Sequence, residues 1–152
     1  MMKMIVKWMI TVLAMAVLQA GCLPAASGGT QITVKEAWGR PSPAEAMMGA
    51  FYMVIQNEGK TADTLVGAST PACGTVELHE SYMSRDNVMG MRPVEGGKIE
   101  VPAGGLVELK PGSLHMMCIQ KQVAFEVGEK IMLALQFEQA GELEVEVEIR
   151  EP

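Results

Sequence analysis

Two histidines and three cysteines are all that the 152 residues hold. Neither histidine stands in an H-E-x-x-H motif: His79 is followed by Glu80-Ser81-Tyr82-Met83. No G-x-S-x-G occurs, and no nucleophile stands beside an evident base, so the chain reads as a protein other than an enzyme. Long apolar runs are missing as well. Trp8 to Leu18 is almost wholly apolar but falls short of the roughly 20 residues that span a bilayer, and nothing later could cross one. No stretch after residue 30 keeps a helical period, and neither a second domain, an internal repeat nor a low-complexity tract is present. Basic residues are few. Without residues 1–21, which carry Lys3 and Lys7, ten basic residues face eighteen acidic ones, a net charge of −8. That balance argues against nucleic acid or an anionic membrane surface as a partner.

What is present begins with an export signal. Lys3 and Lys7 form a positive start, the short apolar run follows, and Ala20-Gly21 gives a small-residue exit before Cys22. This is the layout of a secretory signal peptide, assigned to residues 1–22. Ala20-Gly21-Cys22 is similar to the end of a lipobox, which places a lipid on Cys22, although Gln19 stands where a Leu is usual. Cleavage near Ala26 is the alternative. Residues 23–31 are small and polar and read as a tether, leaving 32–152 as the folded domain.

Within that domain the dominant signal is period two. Ile131, Leu133, Leu135 and Phe137 alternate with Met132, Ala134, Gln136 and Glu138. Leu143, Val145, Val147 and Ile149 alternate with Glu144, Glu146 and Glu148 after a turn at Ala140-Gly141. These are half-buried strands, the second guarded by glutamates against edge pairing. Further strands are expected at Ala50–Gln56, Thr75–His79, Lys98–Val101, Leu106–Leu109 and Leu114–Ile119. Short strands at close spacing predict an all-β sandwich of about seven or eight strands.

The residues able to carry chemistry lie on two of these strands and the loop between them. Val76 and Leu78 form a core face, so His79 points the other way with Glu77. His115 and Met117 share a face, about 7 Å apart along the strand, while Leu114, Met116 and Cys118 turn to the core. Met89 and Met91 share a face on the return arm of the loop that starts at Met83. Fourteen methionines are many, and nine lie beyond the signal. Met47, Met48, Met53 and Met132 are read as core gap-fillers. Imidazole with thioether suits Cu(I), because thioethers are soft, whereas zinc prefers thiolate, imidazole or carboxylate and hard cations prefer oxygen. Thioethers also form no disulfides, so they can hold Cu(I) in an oxidising compartment.

Over nearly the whole exported part the sequence resembles the PCu(A)C-type periplasmic copper chaperones. Ala37-Trp38-Gly39-Arg40-Pro41 is similar to that family's opening, Val76-Glu77-Leu78-His79-Glu80 to its first ligand strand, Met91-Arg92-Pro93-Val94 to its second ligand segment, and Ile99 through Pro111 to the hairpin before its H-x-M. The resemblance implies a cupredoxin-like Greek-key β-sandwich on the outer side of the inner membrane. It also implies a Cu(I) site written H-(M)-x10-M-x21-H-x-M. Carried onto this chain, the ligands are His79, Met91, His115 and Met117. Glu80 replaces the optional Met, and 23 residues separate Met91 from His115, two more than the pattern, with Met89 as the substitute for Met91. The extra residues are expected near Glu95-Gly96-Gly97 or Gly104-Gly105. The implied partners are the copper ion, the copper A subunit of cytochrome c oxidase and thioredoxin-like assembly factors. The alternatives are an exported sandwich lipoprotein with a structural or adhesive role and no metal, and a copper electron carrier.

Cys73 and Cys118 have three possible fates: a disulfide, two buried thiols or extra copper ligands. Parity turns Cys118 away from His115 and Met117. Unpaired thiols beside Cu(I) in an oxidising compartment are vulnerable, so a disulfide is the expectation.

Overall fold

Apolar residues at alternate positions build ten strands around one core. The computed structural model describes residues 29–152; the signal peptide assigned to 1–22, Cys22 and most of the tether lie outside the described residues. The strands are β1 (Ile32–Gly39), β2 (Met48–Asn57), β3 (Asp63–Ser69), β4 (Cys73–Met83), β5 (Met89–Pro93), β6 (Ile99–Val101), β7 (Leu106–Leu109), β8 (Leu114–Lys121), β9 (Lys130–Phe137) and β10 (Gly141–Ile149). Among the described residues one 3-10 turn, Glu95–Gly97, lies between β5 and β6.

One ladder runs β4-β8-β2-β1-β10-β9-β3 and returns to β4 through the pair Ala68↔Val76. The result is a closed barrel of seven strands, where period-two patterning alone had suggested the two sheets of a sandwich. Side-chain alternation is the same in both, so it does not show whether a sheet closes. β5, β6 and β7 attach outside this ring, to β4, β3 and β2. β1 and β10 pair in parallel, Trp38 opposite Glu148; the other pairings are antiparallel.

Three strands exceed the expected set. In β1 the register shifts between Lys35 and Trp38, where Glu36 takes φ 53; in β3 it shifts between Leu65 and Gly67. Such bulges break the alternation by which a strand is recognised. The third, β5, is the return arm of the hairpin loop.

Phe51, Ile55, Leu65, Met116, Leu133, Leu135 and Ile149 fill the interior with essentially no exposure. At 25 cal/mol per Å2 each such side chain contributes roughly 1.5–3 kcal/mol. Met53 joins them. Met47, Met48 and Met132, also read as gap-fillers, are about half exposed or more. Neighbours in a strand face opposite ways, and Met48 shares the outward face with Ala50.

Cys73 and Cys118 form a disulfide, with Cα atoms 5.5 Å apart. Both lie in the core and cross-link β4 to β8. Gly29 and Gln31, the end of the expected tether, are pinned to the β2–β3 turn: the Gly29 carbonyl accepts from the amides of Lys60 and Thr61, and that of Gln31 from Glu58. Buried Asn57 completes this corner by accepting from the Gln31 and Gly59 amides and donating to the Thr61 carbonyl.

Candidate metal centre

The strand register brings both histidines together. His79 on β4 lies directly opposite His115 on β8, and their ring centroids are 5.9 Å apart. Residues opposite one another share a face. Glu77 faces Met117, Ala50 of β2 faces the same Met117, and Met91 of β5 faces Ser81. All therefore lie on the outer surface of the barrel, away from Leu78, Met116 and Cys118, which pack inside. The face split read from alternation is the one the fold adopts here.

This outer face is nevertheless covered. His115 is 2% exposed and Met117 7%. The cover comes from segments remote in sequence: Arg40-Pro41-Ser42 after β1, Met48 at the start of β2, and the Pro111-Gly112 turn before β8. With His79, Met89, Met91, His115 and Met117 they line one cavity of about 620 Å3.

The loop over the site is tied down by Lys121. Its ammonium donates to the carbonyls of Ser42 (2.9 Å) and Pro43 (2.6 Å) and to the Ser42 hydroxyl. It also sits 5.1 Å from the centre of the Phe125 ring. Burial pulls the Lys121 pKa below the ordinary lysine value, against the opposing charge of Glu45. Gly49 lets Phe125 pack directly on β2, since a Cβ there would stand 2.4 Å from the ring.

Both imidazoles are oriented by a partner on one nitrogen. His115 Nδ1 lies 2.9 Å from the Ser113 carbonyl, which can only accept, so Nδ1 carries the proton and Nε2 the lone pair. His79 Nε2 lies 2.9 Å from a Glu77 carboxylate oxygen, which can only accept, so in the neutral ring Nε2 carries the proton and Nδ1 the lone pair. Those two remaining atoms, His79 Nδ1 and His115 Nε2, are buried without any partner; among the described residues only Thr33 Oγ1 shares that condition. An unpaired buried acceptor forfeits roughly 1–3 kcal/mol. A ligating histidine held through its second nitrogen by a carboxylate or carbonyl is the usual arrangement at metal sites. The donor set thus fits a metal ion bound through His79 Nδ1 and His115 Nε2.

The thioethers occupy different depths. Met117 is buried beside His115, whereas Met91 and Met89 are more than half exposed at the rim. Pro93 stands opposite His79, Met91 opposite Ser81 and Met89 opposite Met83, so Met91 is one register step nearer the histidines than Met89. Met48, assigned to the core by its apolar character, is a fourth thioether at this cavity. Tyr52 forms part of the wall, 6.4 Å from the His115 ring and stacked at 4.6 Å on Trp38. Burial raises the Tyr52 pKa, and the nearby Arg40 charge opposes it. Among the described residues no three or more His, Cys, Asp or Glu side chains gather as a metal-binding group. The convergence here depends on thioethers.

Comparison with known proteins follows the same lines. A family model described as "Putative lipoprotein LpqE-like" matches residues 32–149. "Putative lipoprotein Lxx21020" of Leifsonia xyli subsp. xyli is 29% identical over 120 residues, covering 79% of this chain and 70% of that protein. Among solved structures, the apo PCuAC domain from PmoF1 is similar with a TM-score of 0.68 at 23% identity, covering 82% of this chain and 97% of that one. The copper-bound PCuAC domain from PmoF2 gives 0.66 at 21% identity, covering 82% and 96%. The solution structure of CuI-DR1885 from Deinococcus radiodurans gives 0.57 at 25% identity, covering 86% and 81%. The all-β fold is thus one shared with PCuAC domains.

Proposed function

We propose that this chain, which belongs to the LpqE-like family, is an exported metallochaperone that carries Cu(I) on His79, His115, Met117 and Met91. The observation that carries this reading is a pair of buried, partnerless imidazole nitrogens on two histidines that line one cavity with four thioethers. Soft, neutral donors select Cu(I) over zinc or hard cations. They leave the charge of the ion largely uncompensated, which favours a site that releases its cargo. Glu77, one hydrogen bond behind His79, fixes the orientation of that ring. The PCu(A)C-type resemblance and two structural neighbours solved with copper support the same ion, and the cupredoxin-like Greek-key description rests on that resemblance.

The electron-carrier alternative needs a cysteine thiolate ligand. Cys73 and Cys118 are joined to each other in the core, and Cys118 lies on the face opposite His115. On our reading the two residues in excess between Met91 and His115 sit in the Glu95–Gly97 turn. There Gly96 and Gly97 both take positive φ, and a Cβ on either would meet nothing within 4 Å.

Delivery toward the copper A centre of cytochrome c oxidase, alongside thioredoxin-like assembly proteins, is the function the resemblance implies. The names of the family and of its Leifsonia relative support export and a lipid on Cys22, holding the domain at the outer side of the inner membrane. Anaerobic Cu(I) titration against a chromophoric chelator tests the proposal. We expect tight stoichiometric binding whose affinity falls steeply in His79→Ala with His115→Ala. Binding undiminished in that variant, or no binding by the parent protein, would overturn it.

A further inference from the structure

The hairpin beyond the cavity presents three thioethers on one face. Met83 and Met89 stand directly opposite in the β4–β5 ladder, and Met91 lies two residues along the same face from Met89. Opposed residues have Cβ atoms roughly 4.5–5.5 Å apart, and diagonal ones about 7–8 Å, within reach of long side chains. All three are more than half exposed, so none is needed for packing. Three adjacent large apolar side chains left in water call for a reason.

The hairpin itself is firmly built. On its other face Arg92 pairs with Glu80 at 2.8 Å and lies 5.1 Å from the centre of the Tyr82 ring. Tyr82 in turn packs on Gly90, where a Cβ would approach its ring to 2.7 Å. The connecting loop is closed by the Ser84 amide donating to the Val88 carbonyl and the Val88 amide donating to the Ser84 hydroxyl, with Asn87 at φ 63. The thioether face is therefore held in shape by contacts in which it takes no part.

We propose that Met83, Met89 and Met91 form a second, all-thioether Cu(I) site at the hairpin, which shares Met91 with the histidine centre and serves as the ion's port of entry and exit. The claim rests on the Cu(I) reading only through that shared ligand. Three neutral sulfurs select a soft monovalent ion and lack the oriented imidazoles of the inner centre, so the outer site is the weaker. Transfer inward is a ligand exchange. The bond to Met91 is kept, those to Met83 and Met89 break, and new ones form at His79 Nδ1, His115 Nε2 and the Met117 sulfur. In the neutral rings both nitrogens hold free lone pairs, so no proton leaves, and copper stays Cu(I) throughout.

The test is methionine methyl NMR on the full chain carrying Cys22→Ser, with anaerobic addition of Cu(I). The first equivalent is expected to move the Met117 and Met91 methyls; with Met91 so held, the second equivalent is expected to bind more weakly, on Met83 and Met89 alone, and to move those methyls. Met83→Leu with Met89→Leu, at exposed positions that fold tolerates, should lose the second equivalent and keep the first. His79→Ala with His115→Ala should still move Met83 and Met89. One equivalent in the parent protein with Met83 and Met89 unmoved would overturn the outer site and leave the inner one standing. No copper-induced shift anywhere would overturn both.

Discussion

Reducing the Cys73–Cys118 bridge should cost this domain a large part of its stability. The bridge closes a loop with a sequence separation of 45, for which the chain-entropy relation gives about 4 kcal/mol at 25 °C. A domain of this size has roughly 5–15 kcal/mol in all. Both sulfurs lie in the core, Cys118 with no exposure, so Cys73→Ala with Cys118→Ala adds a packing loss to the entropic one, and reduction alone is the cleaner perturbation. Urea unfolding followed by fluorescence, with and without reductant, measures the difference. With a urea slope near 2 kcal/mol/M the midpoint should fall by about 2 M. The bridge also joins the strands that carry His79 and His115, but their backbone ladder remains, so Cu(I) affinity should fall much less than stability. Thiol counting on the denatured, unreduced chain should find neither cysteine reactive. A stability change below about 1 kcal/mol, or two free thiols from these positions, would refute the reasoning.

Met91→Leu should weaken Cu(I) binding by about tenfold or more, as a ligand should matter at least as much as an outer-shell partner, and more than Met89→Leu; the reverse order in chelator competition would move the ligand to Met89. Burial raises the carboxyl pKa of Asp63, but the amides of Gln139, Thr64 and Ala140 and the Thr30 hydroxyl outweigh it, leaving the pKa below the ordinary value. The stability this supplies is present above the unfolded pKa and is lost as pH falls through the lower folded one. Asp63→Asn should therefore flatten the acid limb of the unfolding curve and cost roughly 2–3 kcal/mol at neutral pH; an unchanged acid limb would contradict this. Cys22→Ser should release the protein from the membrane fraction, and a mature N-terminus at Ala26 or Ser27 would exclude the lipid anchor.

Period two made β9 and β10 legible, because every second residue there is apolar and the intervening ones in β10 are glutamates, while β7 and β8 were marked by the Gly104-Gly105 and Pro111-Gly112 turns before them. It missed β1 and β3, where bulges beside Glu36 and Gly67 shift the phase. β4 runs past the expected His79 to Met83 because β5 pairs with it there, and a partner strand is invisible to local pattern. The shared face of His115 and Met117 followed from parity alone. Their burial did not, because the cover is supplied by Arg40 to Ser42, Met48 and Pro111-Gly112, which the topology gathers from three separate segments. Met48 reads as core because a methionine is apolar wherever it stands; only the pairing of its strand shows which way it faces. The proton positions on the two histidines, which make them ready ligands, depend on Glu77 and the Ser113 carbonyl at 2.9 Å.

X-ray absorption at the copper edge, on protein loaded anaerobically with one equivalent of Cu(I), tests the proposed centre most directly. The account predicts a reduced ion with a mixed shell of imidazole nitrogen and thioether sulfur, whose nitrogen contribution disappears in His79→Ala with His115→Ala. A shell of oxygen and nitrogen without sulfur, or a nitrogen contribution that survives loss of both histidines, would contradict it.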